Sequence, residues 1–245
     1  YRRAGSDIVY TNTFGANRVK LAGTSLKGRA VELNARAVEI ARTAVGPGGL
    51  VFGSIGPTGR MLEPHGDLDP ATARESYLEQ ARALIDAGAD GIAVETHSDP
   101  FEASLAIDAA KEAGDVPVIA TMTFERSQAG HRTVMGATPE LAAKALLAAG
   151  ADAVGVNCGK GVEEAVEVLV MMKVVAKGAP LVAKPNAGAP TIKGGGTLYP
   201  DGPEEFAQKM KKILEAGALL VGGCCGTTPE HIRALAAVLG RKLYW

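Results

Sequence analysis

The chain has 245 residues, 47% of them hydrophobic, and a formal net charge of −1. That suffices to bury a large core, and single-domain α/β barrels occupy this size range. The near-neutral charge argues against nucleic acid or an anionic membrane as the main partner, aromatics at 4% do not suit base stacking, and no apolar run reaches the roughly 18 residues of a membrane span.

The chain opens at Tyr1-Arg2-Arg3-Ala4-Gly5, without a methionine and in what reads as the last turn of a helix. It is therefore expected to begin inside a domain, with the true N-terminus, and any targeting segment there, out of view. Apolar runs follow at Ile8–Phe14, Leu50–Ile55, Gly91–Glu95, Val116–Phe124, Ala153–Asn157, Pro180–Pro185 and Leu219–Gly223. They are short and near-continuously apolar, as parallel strands buried on both faces should be. Four of them follow a weak repeat: Ala4-Gly5-Ser6-Asp7, Ala87-Gly88-Ala89-Asp90, Ala149-Gly150-Ala151-Asp152 and Ala216-Gly217-Ala218-Leu219. In each, a glycine is expected to end a helix before a short turn into a strand. Helix starts are marked by a polar cap before proline at Asp69-Pro70, Asp99-Pro100, Thr138-Pro139 and Thr228-Pro229. The segment from Pro70 to Ala87 carries Tyr77, Ala81, Leu84 and Ile85 on one helical face.

Seven strand–helix units preceded by a helix end are one short of eight. The expected fold is α/β, a (β/α)8 TIM barrel whose first strand and most of whose first helix are absent from this sequence. With no linker-like tract, residues 1–245 read as one N-terminally incomplete barrel domain. A doubly wound sheet is the alternative, but no GxGxxG follows the first strand.

Barrel chemistry belongs at strand C-termini. Polar residues gather there: Thr11-Asn12-Thr13, Ser54, Glu95 to Asp99, Thr121 and Thr123, Asn157-Cys158, Asn186 and Cys224-Cys225. All three cysteines of the chain are among them. Three thiolates converging from two strand ends would hold Zn²⁺ and leave its fourth position open, as catalytic zinc sites do. Adjacent strand residues point to opposite faces, so both thiols of the pair reach one metal only if the backbone bends, a freedom expected from Gly222, Gly223 and Gly226. The competing readings are buried thiols that merely pack and a disulfide. Neighbouring α-carbons about 3.8 Å apart are too close for ordinary bridge geometry, so reduced thiols in a reducing, cytoplasmic setting are expected. His97, at a strand end, is the one histidine that competes for the fourth position. His65 and His131 are placed in loops and His231 on a helix surface.

The motifs Thr11-Asn12-Thr13-Phe14-Gly15-Ala16-Asn17, Gly53-Ser54-Ile55-Gly56-Pro57-Thr58-Gly59, Glu95-Thr96, Gly155-Val156-Asn157-Cys158, Lys184-Pro185-Asn186-Ala187-Gly188 and Gly223 through His231 follow one another along the chain. Together they resemble the homocysteine S-methyltransferase family, most closely the homocysteine-binding barrel of its cobalamin-dependent members. The resemblance covers essentially the whole chain, and the Asn-Cys plus Gly-Gly-Cys-Cys-Gly combination is its most specific part. The family's Asp-Gly-x-x-Gly-Thr turn at the end of its first strand has no counterpart here.

The resemblance implies zinc-dependent methylation of homocysteine to methionine, with Cys158, Cys224 and Cys225 as metal ligands and no side chain acting as the nucleophile. A free thiol of pKa about 8.5 is mostly protonated at neutral pH, and coordination would deprotonate it for attack on an activated methyl group. Glu95, ending a buried strand, suits the substrate ammonium, unless it caps the following helix, for which Asp99 is better placed. Asn186 could orient substrate, offer an amide oxygen to zinc, or simply make a turn; Asn157 could serve substrate or a ligand beside it. Thr11 and Thr13 complete the candidate substrate-binding set. No Asp-x-His-x-x-Gly cobalamin motif is present, so methylcobalamin on another domain or protein is the expected donor. Betaine or S-methylmethionine is the alternative within the family, although few aromatics are available to cradle an onium group. From another class, Gly222-Gly223 with Lys193-Gly194-Gly195-Gly196 could form the phosphate site of a metal-free lyase or aldolase.

Overall fold

Each strand of the sheet ends one helical connection and begins the next, and a computed structural model shows how for residues 1–241. A 3-10 turn at Arg2–Ala4 comes first, where the sequence suggests the end of an α-helix. There follow β1 (Ile8–Tyr10), α1 (Arg18–Leu21), α2 (Ala30–Val45), β2 (Leu50–Ile55), α3 (Pro70–Asp86), β3 (Gly91–His97), α4 (Pro100–Ala113) and β4 (Val118–Met122). After the hairpin β5 (Glu125–Ser127) and β6 (Gly130–Arg132) come α5 (Pro139–Ala148), β7 (Ala153–Cys158), α6 (Val162–Ala176) and β8 (Leu181–Pro185). A second hairpin, β9 (Thr191–Lys193) and β10 (Gly196–Leu198), precedes α7 (Pro203–Ala216), β11 (Leu220–Val221) and α8 (Pro229–Val238). The sheet order β1-β2-β3-β4-β7-β8-β11 follows the chain, the two hairpins being set apart from it.

The chain divides into two compact units. One contains Ile8–Ala120 and Ala145–Asp152. Its strands β1 and β2 pair in parallel, Val9 opposite Val51, and β2 pairs in parallel with β3, Ser54 opposite Ala93. Its core is built on Val51, Ile55, Ile92 and Val94 from the strands and Tyr77, Leu84 and Ile107 from α3 and α4, all buried. The other unit contains Tyr1–Asp7, Thr121–Lys144 and Ala153–Trp245. There β7 pairs in parallel with β8, Asn157 opposite Lys184 and Cys158 opposite Pro185, and β8 with β11. Val154, Leu169, Met172, Phe206, Met210 and Ile213 form its buried interior.

The repeated Ala-Gly junctions are helix stops. Gly5, Gly88, Gly150 and Gly217 take φ of 106°, 96°, 99° and 103°, the left-handed conformation that glycine adopts without steric cost. Behind two of them the aspartate clasps a strand: Asp90 accepts from the Val51 amide at 2.7 Å and Asp152 from the Val118 amide at 2.8 Å. Arg42 and Lys111 pair with these carboxylates at 2.6 Å. The proline-marked starts are capped as expected, Asp69 accepting from Thr72 at 2.8 Å, Asp99 from Phe101 at 2.8 Å and Thr138 from Leu141 at 3.2 Å.

Two strand expectations change. β1 and β11 are shorter than their apolar runs and only half-buried, and Leu219 is 73% exposed. Among the described residues each has one strand neighbour, so neither is enclosed as the inner strands are. The segment Lys193-Gly194-Gly195-Gly196 forms the turn of the β9–β10 hairpin. Gly194 and Gly195 at φ 59° and 81° make the two-residue turn that matches strand twist.

Candidate metal centre

Cys158 is the last residue of β7 and takes φ 62°, a left-handed conformation that costs a non-glycine residue energy. That turn, continued by Gly159 at φ 72°, lifts the chain off the strand. Cys224 and Cys225 follow β11 in a second turn, laid against the end of β8. The Cys224 amide donates to the Pro185 carbonyl at 2.9 Å, and the Ala187 amide donates to the Cys225 carbonyl at 3.0 Å. Of the glycines expected to supply the bend, only Gly226 is left-handed, at φ 80°. Gly223 is needed for room instead, since a Cβ there would lie 2.4 Å from the Thr227 side chain.

The three sulfurs converge. Cys158 Sγ is 3.0 Å from Cys224 Sγ and 3.8 Å from Cys225 Sγ, and all three lie within 4.8 Å of one another. Sulfurs bound about 2.3 Å from a tetrahedral zinc stand about 3.8 Å apart, so small shifts separate this cluster from a zinc cage. The neighbouring thiols, Cys224 foremost, and burial push the Cys158 thiol far above the ordinary thiol range. Three thiolates repel one another; a cation among them is what lets all three ionise together. Donor type, count and spacing fit Zn²⁺, and the exposure of Cys225 leaves an approach to the cluster. It is the only group of three or more metal-ligating side chains among the described residues, and no histidine belongs to it.

Two asparagines brace the cysteines. Asn157 is fully buried; its amide nitrogen faces Cys224 Sγ at 3.7 Å, and its oxygen accepts from the Thr121 hydroxyl at 2.8 Å. Asn186 spans both cysteine turns, donating to the Gly159 carbonyl at 2.7 Å and accepting from the Cys225 amide at 2.9 Å. Glu164, near the start of α6, accepts from the Lys160 amide at 2.9 Å and steadies the turn after Cys158. Tyr199, which sequence reasoning did not single out, lays its ring against the turn at Gly226, where a Cβ would fall 2.3 Å from the ring's Cγ. Its only sequence signal is a Tyr-Pro step in a glycine-rich loop.

The other unit holds its own strand-end cluster. The hydroxyls of Thr11 and Thr13 lie 2.6 Å apart; Thr13 donates to the Ser54 carbonyl at 2.7 Å, and the Ser54 amide donates to Thr11 Oγ1 at 3.0 Å. One closed ring of hydrogen bonds therefore joins the loop after β1 to β2. The Ser54 hydroxyl then donates to Glu95 at 2.6 Å. Glu95 is half-buried, and the α4 cap is made by Asp99, so the carboxylate is not spent on capping. His97, fully buried, lies 3.4 Å from the Tyr77 hydroxyl, which donates to Glu102 at 2.8 Å. His231 is buried rather than on a helix surface: its Nδ1 accepts from the Thr228 amide at 3.1 Å and its Nε2 donates to the Asp201 carbonyl at 2.9 Å.

With this geometry in hand, the chain can be set beside known proteins. A family model described as Homocysteine S-methyltransferase matches residues 1–239. The methionine synthases of Mycobacterium leprae and Mycobacterium tuberculosis are each 36% identical to it over 98% of its length. The chain spans only 21% of each of those proteins. Among solved structures, the homocysteine methyltransferase MmuM from Escherichia coli is similar in its metallated form, with a TM-score of 0.78 and 26% identity over 96% of this chain and 80% of that one. Its apo form gives a TM-score of 0.73, covering 96% and 81%. The expected α/β barrel class agrees with these neighbours.

Proposed function

Because the chain belongs to the homocysteine S-methyltransferase family, we propose that it binds one Zn²⁺ through Cys158, Cys224 and Cys225 and methylates the thiol of homocysteine to give methionine. The observation that carries this reading is the meeting of three thiols from two turns, one of them exposed to an incoming ligand. A zinc ion in that position supplies Lewis acidity, which stabilises an approaching thiol as its thiolate.

The protein's own groups do the rest. Asn186 fixes the distance between the two cysteine turns, and Asn157 orients Cys224. Thr11 and Thr13 hold Ser54, and Ser54 aims the Glu95 carboxylate, which receives the substrate ammonium. Thr11 and Thr13 complete this proposed substrate-binding set. The methyl donor is methylcobalamin carried on another domain or protein, a reading supported by the length of the methionine synthases that the chain matches only in part.

The test is metal analysis and calorimetry on the chain as it stands, with and without homocysteine. One zinc per chain and release of close to one proton per homocysteine, below the free thiol's pKa, are expected. Zinc-independent homocysteine binding would refute the metal role. Turnover with betaine or S-methylmethionine but none with methylcobalamin would overturn the donor assignment alone.

A further inference from the structure

Three non-glycine residues among those described take the left-handed conformation: Thr96, Cys158 and Lys177. Lys177 closes α6, and Cys158 turns the chain into the proposed metal centre. Thr96, at φ 60°, stands directly after Glu95 on β3. A β-branched residue is among the least suited to that region, so the conformation persists only where its surroundings impose it. The turn also changes direction. In a regular strand residues two apart share a face, so Glu95 and His97 would point the same way. Here they part: Glu95 is half-buried and accepts from Ser54 on β2 at 2.6 Å, whereas His97 is fully buried beside Tyr77 of α3.

A closed polar cluster anchors that turn. His97 Nε2 lies 3.4 Å from the Tyr77 hydroxyl, and the two rings stand 6.1 Å apart. The Tyr77 hydroxyl donates to Glu102 Oε1 at 2.8 Å and accepts from the Thr58 amide at 3.1 Å. The same Glu102 oxygen accepts from the Thr58 hydroxyl at 2.6 Å and from its amide at 2.9 Å. Thr58, Tyr77, His97 and Glu102 are all buried. A buried carboxylate is costly unless hydrogen bonds satisfy it, and a satisfied network stiffens what surrounds it. With His97 fixed in this way, Thr96 cannot relax to the extended conformation without withdrawing the imidazole from the cluster.

We propose that Thr96 is a positioning residue for Glu95: its left-handed turn, held by His97, Tyr77 and Glu102, keeps the carboxylate beside Ser54 and aimed at the ammonium of homocysteine. The inference deepens, and rests on, the reading that Glu95 receives that ammonium. A carboxylate already held in place loses less freedom when the substrate arrives, and preorganisation adds affinity by that route.

The test is calorimetry on the zinc-loaded protein with two ligands, homocysteine and γ-mercaptobutyrate, which keeps the thiol and carboxylate and lacks the amino group. Their affinity ratio reads the ammonium contact. Glu95→Gln is expected to lower that ratio about tenfold or more, the effect of a lost charge-assisted hydrogen bond. Thr96→Gly permits the left-handed turn without requiring it, and is expected to lower the ratio about fivefold. Little change in Tm should accompany it, because relieved strain offsets the entropy that glycine adds to the unfolded chain. Thr96→Asn, whose side chain tolerates the left-handed region, is expected to recover most of the loss. Tyr77→Phe leaves the backbone of β3 untouched, removes the hydroxyl beside His97 and should lower the ratio as well. In the Glu95→Gln background neither Thr96→Gly nor Tyr77→Phe should lower it further. An unmoved ratio in Thr96→Gly and Tyr77→Phe, or equal losses for the two ligands, would mean that the turn only holds the fold and would overturn the proposal. An unmoved ratio in Glu95→Gln removes the Glu95 reading and this inference with it, whereas a ratio lowered in Glu95→Gln alone removes only the role of Thr96.

Discussion

Glu95 and His97 lie two residues apart on β3 and live in different chemistry. Glu95 is half-buried and accepts from Ser54. As the proposed ammonium partner it should matter to substrate and not to metal. Glu95→Gln is expected to weaken homocysteine binding by about 1.5–3 kcal/mol, the range for a charge-assisted hydrogen bond, with zinc content unchanged; titration calorimetry measures the first and metal analysis the second. His97 is sealed beside Tyr77 and Glu102, with Glu95 and Asp99 as further acidic neighbours, and burial holds its pKa below the ordinary imidazole value despite them. The unfolded chain therefore binds a proton that the folded chain refuses. Stability contributed this way is present above the unfolded pKa of about 6.5 and is lost as pH falls below it. Urea melts at pH 5.5 and 7.5 should show a decline on acidification that is reduced in His97→Asn.

Among the elements, β7 carries the first of the proposed ligands and depends on a residue with no side chain. A Cβ at Gly155 would lie 1.8 Å from the Val182 carbonyl oxygen on β8, a collision with backbone that no rotamer relieves. Gly155→Ala should therefore part β7 from β8 and cost about 3 kcal/mol or more, at the upper end of overpacking penalties. Thermal denaturation is the measurement. Loss of zinc binding should accompany it, because Asn157 and Cys158 pair in register with Lys184 and Pro185 on that same strand. An alanine variant as stable as the wild type would mean the two strands can slide apart without loss.

For the protein as a folding unit, the proposed zinc site would link metal to stability. A ligand that binds only the native state stabilises it by about 2.7 kcal/mol at a hundred times its dissociation constant. In a chain of this length that amounts to a rise in Tm of about 5–10 °C. Scanning calorimetry with zinc and then with a chelator should show that gain and its removal. Cys224→Ser should keep its chelator-treated Tm and lose most of the zinc-dependent rise; a full rise in that variant would exclude Cys224 as a ligand.

The elements and the three thiols were legible in the linear order of residues because the signals are local. A glycine that must be left-handed, an aspartate before proline and an apolar run before a polar residue each act within a few positions. So the Ala-Gly junctions, the caps and the strand ends that bear Thr11, Ser54, Glu95, Asn157 and Cys158 were all readable. The bracing of those groups was not. Asn186 joins Gly159 to Cys225, Thr121 meets Asn157, Tyr199 rests on Gly226 and Gln80 reaches Asn34, all between residues far apart in the chain. Composition carries no trace of such pairings, because loop closure and side-chain packing choose them only once the strands are in register. Burial was the other thing only tertiary structure decided: it moved His231 from a surface to an interior bridge and left β1 and β11 only half-buried. Residue type sets what a group can do; its surroundings set whether it is spent on holding the fold or left available for chemistry.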